Sequence, residues 1–343
     1  MKAVLFSEHG GTDVLRYTEA PGPVIGARDV LVRVRACALN HLDIWVRRGM
    51  PGVKIPLPHI GGCDIAGEVA KAGDAVTNFR LGDRVLLAPG VSCGQCEQCL
   101  AGKDNECRQY SLLGYMYDGG YAEYVKAPSV NAMLIPENLS FEQAAAVPLV
   151  FLTAWHMLIT RAQLKPAEEV LILGAGSGVG SAAIQIAKIT GARVIATAGS
   201  ESKLTKAKEL GADEVILHSK QNIGEEIMRM TNRRGVDVVF EHVGQATWEQ
   251  SLRSLAIGGR LVTCGATTGY EGKIDIRHLF SRNLSILGTY MGSKAELFAV
   301  LELVGREKLK PVIDCVLPLE RAAEAQERLE NREQFGKIVL RVP

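Results

Sequence analysis

Apolar and polar positions follow two different rhythms along the chain, and the change comes after Pro148. Before it, short β-like runs recur at Val30–Val34, Gly67–Ala70, Asp83–Leu87 and Tyr121–Val125, each flanked by turn residues. That pattern predicts an irregular, mostly β domain. After it, a helical stretch at Thr153–Ile159 leads into alternating strands and helices. The strands fall at Val170–Leu173, Arg193–Thr197, Glu214–Leu217, Val236–Phe240, Arg260–Cys264 and Leu284–Leu287. Helical patterns such as Ser181–Thr190 and Lys203–Leu210, the latter stopped by Gly211, lie between them. Six apolar strands with intervening helices predict a doubly wound α/β domain, its six-stranded parallel sheet covered on both faces. From Ser293 the tail carries two amphipathic helices and a last strand, Gly336–Val342, which needs a sheet to join. The first β domain is the host, giving a division into 1–149, 150–292 and a returning 293–343.

Composition narrows the class. Of 343 residues, 47 % are hydrophobic and 22 % charged, as in an ordinary globular protein. A net charge of +1 offers no electrostatic case for nucleic acid or a membrane surface. No apolar run is long enough to cross a bilayer, and the N-terminus reads as a first strand. A cytoplasmic protein is expected, with Cys37, Cys63, Cys264 and Cys315 reduced.

Four of the eight cysteines stand within fifteen residues: Cys93, Cys96, Cys99 and Cys107. Two residues separate each of the first three, so one tight loop points three thiolates at a common centre, and the following lobe returns a fourth. Four sulfur ligands closing a tetrahedron describe a structural zinc, one per chain, with no position left for a substrate. The run lacks the ending of the bacterial ferredoxin pattern.

The strand Val170–Leu173 runs directly into Gly174-Ala175-Gly176-Ser177-Gly178-Val179-Gly180, and a helix follows. A strand, a glycine turn and a helix N-terminus form an anion site for a dinucleotide pyrophosphate, although the strict G-x-G-x-x-G spacing is not met. The second strand ends in Thr197-Ala198-Gly199-Ser200, with no acid to hold a ribose 2′-hydroxyl. Ser200 and Lys203 suit a 2′-phosphate better, so NADP(H) is favoured over NAD(H). The loop Cys264–Gly269, with Gly265 and Ala266, follows the fifth strand of the sheet and is placed to line a nicotinamide pocket.

Together these parts resemble the medium-chain dehydrogenase/reductase superfamily, the zinc-containing alcohol dehydrogenases and quinone oxidoreductases. The likeness rests on Gly62, Gly67, Gly73 and Val76, on G-D-R-V at Gly82–Val85, and on the four-cysteine loop. Val236-Asp237-Val238-Val239 and G-K-I-V-L at Gly336–Leu340 complete it. The resemblance implies a GroES-like catalytic domain, a Rossmann domain and an active site in the cleft between them. It also implies a homodimer or homotetramer joined partly through the last Rossmann strand, near Leu284–Tyr290. His41 aligns with a residue that contacts the cofactor pyrophosphate.

Alcohol-oxidising members of that superfamily carry a second, catalytic zinc. Here the positions of its ligands read Asn40 in Asn40-His41-Leu42-Asp43, Cys63 and Asp64 in Gly62-Cys63-Asp64, and Pro148-Leu149-Val150, where no side chain binds metal. Cys63 and Asp64, completed by His41, His59 or Cys37, form an alternative, rearranged ligand set. The Asn40-x-x-Asp43 pattern resembles the zinc-free quinone and enone reductases. Conjugated acceptors spread the charge that follows hydride addition and need less electrophilic help. Asn40, Trp45 and Thr153 are the candidate hydrogen-bond donors, with Asn40, Asp43, Cys63 and Asp64 the candidate catalytic set. The expectation is an NAD(P)(H)-dependent oxidoreductase acting on a small quinone- or enone-type carbonyl compound without catalytic zinc. The alternatives are an alcohol dehydrogenase with an altered zinc site and a catalytically silent NADP(H)-binding protein.

Overall fold

A computed structural model describes all residues 1–343. It divides into two units: Met1–Leu149 with Ser293–Pro343, and Val150–Gly292.

The first unit is built on the strand Asp29–Ala38. Its Val30, Val32 and Val34 point into the core while Arg33 is exposed, the period-two alternation of a half-buried strand. It pairs antiparallel with Asp64–Ala72, Tyr124–Pro128 and the closing strand Lys337–Arg341. The terminal strand therefore joins the N-terminal sheet. Its register sets Val339 against Ala38 and Leu340 against Cys37, and the Leu39 N–H donates to the Ile338 carbonyl at 2.9 Å. Continuing that register brings Lys337 opposite Asn40. On the other side Ala38 pairs with Asp64. Three polar residues from distant parts of the chain thus meet where the central strand ends.

A further strand, Ile313–Pro318, runs parallel to the closing strand at the sheet edge. The hydrophobic pattern missed it, because an edge strand with one acid and a terminal proline lacks the apolar signal of a central one.

The second unit holds six parallel strands, in the order Glu214–Leu217, Arg193–Ala198, Glu169–Ile172, Val236–Glu241, Leu255–Thr263, Ser285–Gly288. The order reverses at Glu169–Ile172, the doubly wound arrangement that places ligands beyond the carboxyl ends of the strands. The fifth strand starts five residues earlier than its apolar core at Arg260, since it runs through Gly258-Gly259. The first helix begins at Pro148 rather than Thr153, with proline at the position where its missing N–H costs nothing. It continues as a π-helical turn over His156–Arg161.

Candidate active site and metal centre

The helix His41–Arg48 starts at Asn40, whose backbone N–H donates to Asp43 Oδ2 at 2.8 Å, one half of a capping box. With its backbone so fixed, the Asn40 side chain faces Lys337. The Lys337 ammonium donates to the Leu39 carbonyl at 2.6 Å, to Asn40 Oδ1 at 2.6 Å and to Asp64 Oδ2 at 2.9 Å. An ammonium has three donors and no acceptor, so all three are committed and the Asn40 oxygen must be the atom that faces it. Asn40 Nδ2 then donates to Asp64 Oδ2 at 2.8 Å and approaches Cys63 Sγ at 3.3 Å. Asp64 Oδ1 accepts from the Leu149 N–H at 2.8 Å. The pair is sealed: the Lys337 side chain is 3 % exposed and that of Asp64 0 %.

Below it, Asp43 accepts from the Tyr121 hydroxyl at 3.0 Å and the Gly62 N–H at 3.3 Å. Burial pushes Asp43 up to about 6, against the hydrogen bonds from Asn40 and Tyr121. Burial, followed by the neighbouring carboxylates, raises the Cys37 and Cys63 thiols well above their ordinary values, so both are neutral S–H groups. Gly62 has φ +93°, and a Cβ there would lie 2.5 Å from the Tyr121 ring and 2.7 Å from Cys37 Sγ. Glycine at 62 is what lets this cluster close.

The structure therefore brings Asn40, Asp43, Cys63 and Asp64 together and adds Lys337, to which the sequence reading gave no role beyond its place in a motif. It also commits the Asn40 amide internally, which leaves no Nδ2 hydrogen for a substrate oxygen in this arrangement. As a divalent-metal site the donor set fits poorly. It offers one carboxylate, one thiol and an amide oxygen, with an ammonium already bonded to the carboxylate and the amide. His41, His59 and Cys37 do not complete a ligand set around Cys63 and Asp64. His41 instead stands edge-on to the Trp45 ring, with centroids 4.9 Å apart, and His59 packs edge-on to Phe6.

The metal-compatible convergence lies elsewhere in the same unit. The Sγ atoms of Cys93, Cys96, Cys99 and Cys107 all lie within 4.8 Å of one another. A tetrahedron of sulfurs about 2.3 Å from zinc has edges of about 3.8 Å, and Cys93–Cys99 is 3.9 Å and Cys96–Cys99 3.5 Å. The N–H groups of Gln95 and Cys96 draw Cys93 down to about 6, toward the thiolate a metal requires. The lobe is closed by pairing of Gly90–Val91 with Ser111–Leu112. It is tied to the helix Lys294–Gly305 by Asp104, which accepts from the Lys294 N–H at 2.9 Å and its ammonium at 2.7 Å. Four sulfurs fill the coordination shell, so this centre suits a structural ion.

In the second unit the glycine loop opens the helix Gly178–Thr190. Ser177 caps it, its Oγ accepting the Gly180 N–H at 2.9 Å. Gly178 and Val179, in the first turn, have no carbonyl four residues back within the helix to take their N–H groups, which suits them to a phosphate. A Cβ at Gly180 would lie 2.4 Å from the Gly174 carbonyl oxygen, so the tight turn needs glycine there. His242 packs under the loop, its Nε2 2.9 Å from the Leu173 carbonyl and 3.3 Å from Ser177 Oγ.

Ser200 precedes the helix Glu201–Glu209, its Oγ 3.2 Å from Ser202 Oγ. Lys203 sits in the first turn, half-buried, and the strand Arg193–Ala198 carries no acid at its end. His218, missed from sequence, stands beside this end with Nδ1 3.2 Å from Thr197 Oγ1. Gly265 and Ala266 lie in a half-buried loop that is zipped to the 243–245 turn by Thr268 N–H to the Val243 carbonyl at 2.9 Å. Glu241 closes its own turn, accepting from the Gly244 N–H at 3.0 Å and the Thr247 hydroxyl at 2.6 Å. Thr153 is buried in this unit with Oγ1 directed at Met291 Sδ, 3.8 Å away.

The alcohol dehydrogenase GroES-like domain family matches residues 26–137, and the zinc-binding dehydrogenase family matches residues 178–306. An NAD-dependent alcohol dehydrogenase of Sulfolobus acidocaldarius is 36 % identical across 100 % of both chains. The chain belongs to the medium-chain dehydrogenase/reductase superfamily. Within that superfamily a quinone oxidoreductase of Sus scrofa is 34 % identical, over 99 % of this chain and 97 % of that one. A crystal structure of an NAD-dependent alcohol dehydrogenase is similar with a TM-score of 0.97 and 50 % identity over the full length of both. The crystal structure of AibC is similar at 0.92 and 37 %, covering 100 % of this chain and 96 % of that one. The medium-chain dehydrogenase fold, with a GroES-like and a Rossmann-like domain, and NAD(P)-dependent oxidoreductase activity on a small molecule follow from this membership. No helix is long and apolar enough to cross a membrane.

Proposed function

We propose that this chain is an NAD(P)(H)-dependent reductase of quinone- or enone-type carbonyl compounds that works without a catalytic zinc. The observation that carries the reading is the Lys337 ammonium, bonded to Asn40 and Asp64 at the positions that align with metal ligands. Bound at the glycine loop, a reduced nicotinamide supplies a hydride, that is, two electrons and one hydrogen nucleus. That hydride, with one proton from solvent, would convert a conjugated carbonyl to its saturated counterpart or a quinone to its hydroquinone. The Gly178 and Val179 N–H groups would hold its pyrophosphate, and Ser177 keeps the helix start in shape. The buried cluster of Asn40, Asp64 and Lys337 gives the first unit a rigid polar floor at the end of its central strand. Cys63, fully buried, with its thiol raised well above its ordinary value by burial, is a neutral group beside that cluster.

Ser200, Ser202 and Lys203, with no acid at the strand end, support NADP(H) over NAD(H). The similarity at 50 % identity to an NAD-dependent alcohol dehydrogenase favours a second reading, alcohol or aldehyde chemistry with NAD(H). A cytoplasmic location fits the unpaired cysteines. A homodimer or homotetramer is supported by exposed Ile276, Phe280 and Tyr290 flanking the edge strand Ser285–Gly288.

The test is zinc quantification beside NADH and NADPH oxidation with an enone, a quinone and an aldehyde. One zinc per chain with enone or quinone turnover supports the reading. Two zincs with aldehyde turnover replace it by the second.

A further inference from the structure

We propose that His242 is a positioning residue of the cofactor site, its Nε2–H held between the Leu173 carbonyl and Ser177 Oγ so that the Ser177 hydroxyl turns its own hydrogen outward, to an oxygen of the pyrophosphate. The proposal rests on the reading that the pyrophosphate sits at the glycine loop. Strand register delivers the ring. The strand Val236–Glu241 runs parallel to Glu169–Ile172 with Phe240 against Ile172, and the Leu173 N–H continues the ladder to the Phe240 carbonyl at 3.2 Å. His242 therefore stands beside the first glycine of the loop. Gly174 has φ +59°, and a Cβ there would lie 3.0 Å from His242 Cε1 and 3.1 Å from Nε2, so the imidazole occupies the space a side chain would need. The fully buried Phe240 ring packs edge-on to it, with centroids 6.0 Å apart.

The partners fix where the hydrogens lie. A carbonyl only accepts, so the ring nitrogen 2.9 Å from the Leu173 oxygen carries the hydrogen. Burial lowers the pKa of His242, so the ring is neutral and Nε2–H is its single N–H. The same nitrogen stands 3.3 Å from Ser177 Oγ, and the Gly180 N–H donates to that oxygen at 2.9 Å. Two donors thus face the acceptor side of the hydroxyl, and its own hydrogen is left for a third direction. Ser177 lies with Gly178 and Val179 on a half-exposed stretch of the loop. A hydroxyl donor beside those two N–H groups matches a doubly charged diphosphate, which offers oxygens on both phosphorus atoms. Without the ring, the Leu173 carbonyl loses its donor and the Ser177 hydrogen is no longer held outward.

The experiment titrates full-length wild type, His242→Leu, His242→Gln, Ser177→Ala and Ser177→Ala/His242→Leu with NADPH and NADH, read by fluorescence. For the nucleotide that wild type binds more tightly, His242→Leu and Ser177→Ala are each expected to weaken binding at least about tenfold, the worth of one hydrogen bond to a charged group. The double variant is expected to bind within about threefold of Ser177→Ala, because the ring acts through that hydroxyl. His242→Gln, whose amide N–H reaches the place of Nε2, is expected to bind within about threefold of wild type. A His242→Leu loss that is absent, or as large without the Ser177 hydroxyl as with it, makes the ring a filler under the loop and overturns the proposal. A loss in His242→Gln as large as in His242→Leu overturns it as well.

Should His242→Leu not fold, nitrogen NMR of wild type grown with isotope-labelled histidine decides. The His242 ring, assigned by the signal that His242→Gln loses, is expected to carry its hydrogen on Nε2, and a hydrogen on Nδ1 overturns the proposal. Wild type that binds neither nucleotide, or binds one with an affinity that Gly180→Val leaves unchanged, removes the pyrophosphate from the glycine loop and the proposal with it. Additive losses with that placement intact count against His242 alone.

Discussion

Asp43 is a carboxyl group sealed under the Asn40 helix, and its titration should be visible in the stability of the protein. Its value moves from 3.8 to about 6 on folding, chiefly through burial. The folded state therefore holds the Asp43 proton more tightly than the unfolded chain does. Between about pH 4 and pH 6 the folded state has more protons bound, so the stability from this group falls as pH rises through that window and is level above it. At about 1.4 kcal/mol per unit the loss comes to about 3 kcal/mol. The Asp43→Asn variant removes the titration while its amide oxygen, at the Oδ2 position, still accepts from both the Asn40 N–H and the Tyr121 hydroxyl, and only the Gly62 N–H loses its acceptor. The lost second acceptor adds an offset of about 1 kcal/mol that does not depend on pH. The assay is urea unfolding of both proteins at intervals from pH 4 to pH 8, read as the difference between them. Other titrating groups, the zinc thiols included, are common to both and cancel. The wild type should lose about 2.4 kcal/mol relative to the variant between pH 4 and pH 7, the unfolded carboxyl being already partly ionised at pH 4. A difference that is flat, or that grows in favour of the wild type as pH rises, would refute the assignment of Asp43 as a buried carboxyl destabilised by its charge.

Other consequences are open to direct measurement. Gly180→Val forces a Cβ to within 2.4 Å of the Gly174 carbonyl oxygen, so NADPH affinity by fluorescence titration should fall at least tenfold. Ser200→Asp should weaken NADPH about tenfold and leave NADH nearly unchanged, as competitive binding titrations would show. Removing the zinc with a chelator should loosen residues 92–110 in hydrogen exchange while the second unit keeps its protection, because metal binding is coupled to local folding. Phe280→Asp puts a charge on the apolar surface beside the edge strand Ser285–Gly288 and should shift sedimentation toward monomer.

What the sequence discloses here depends on how local the cause is. The four cysteines and the glycine loop are readable because their geometry is written in spacing over a few residues. The parallel strands are readable because burial on both faces makes them continuously apolar. The edge strand Ile313–Pro318 is not, since its hydrogen bonds to the closing strand supply what its side chains do not advertise. The fate of Asn40 also lies beyond sequence. It reads as a donor for substrate, and only the register that sets Lys337 opposite it shows that its amide is already taken. Lys337 opens a terminal strand and resembles any solvated lysine until the pairing of Val339 with Ala38 fixes where its side chain goes.

Whether the Lys337 cluster replaces a catalytic metal, while the four cysteines hold a structural one, is decided most directly by counting metal. Zinc measured on purified wild type and on Cys93→Ser should give one per chain and none. Two per chain in the wild type, with one retained in Cys93→Ser alongside aldehyde reduction, would contradict the account.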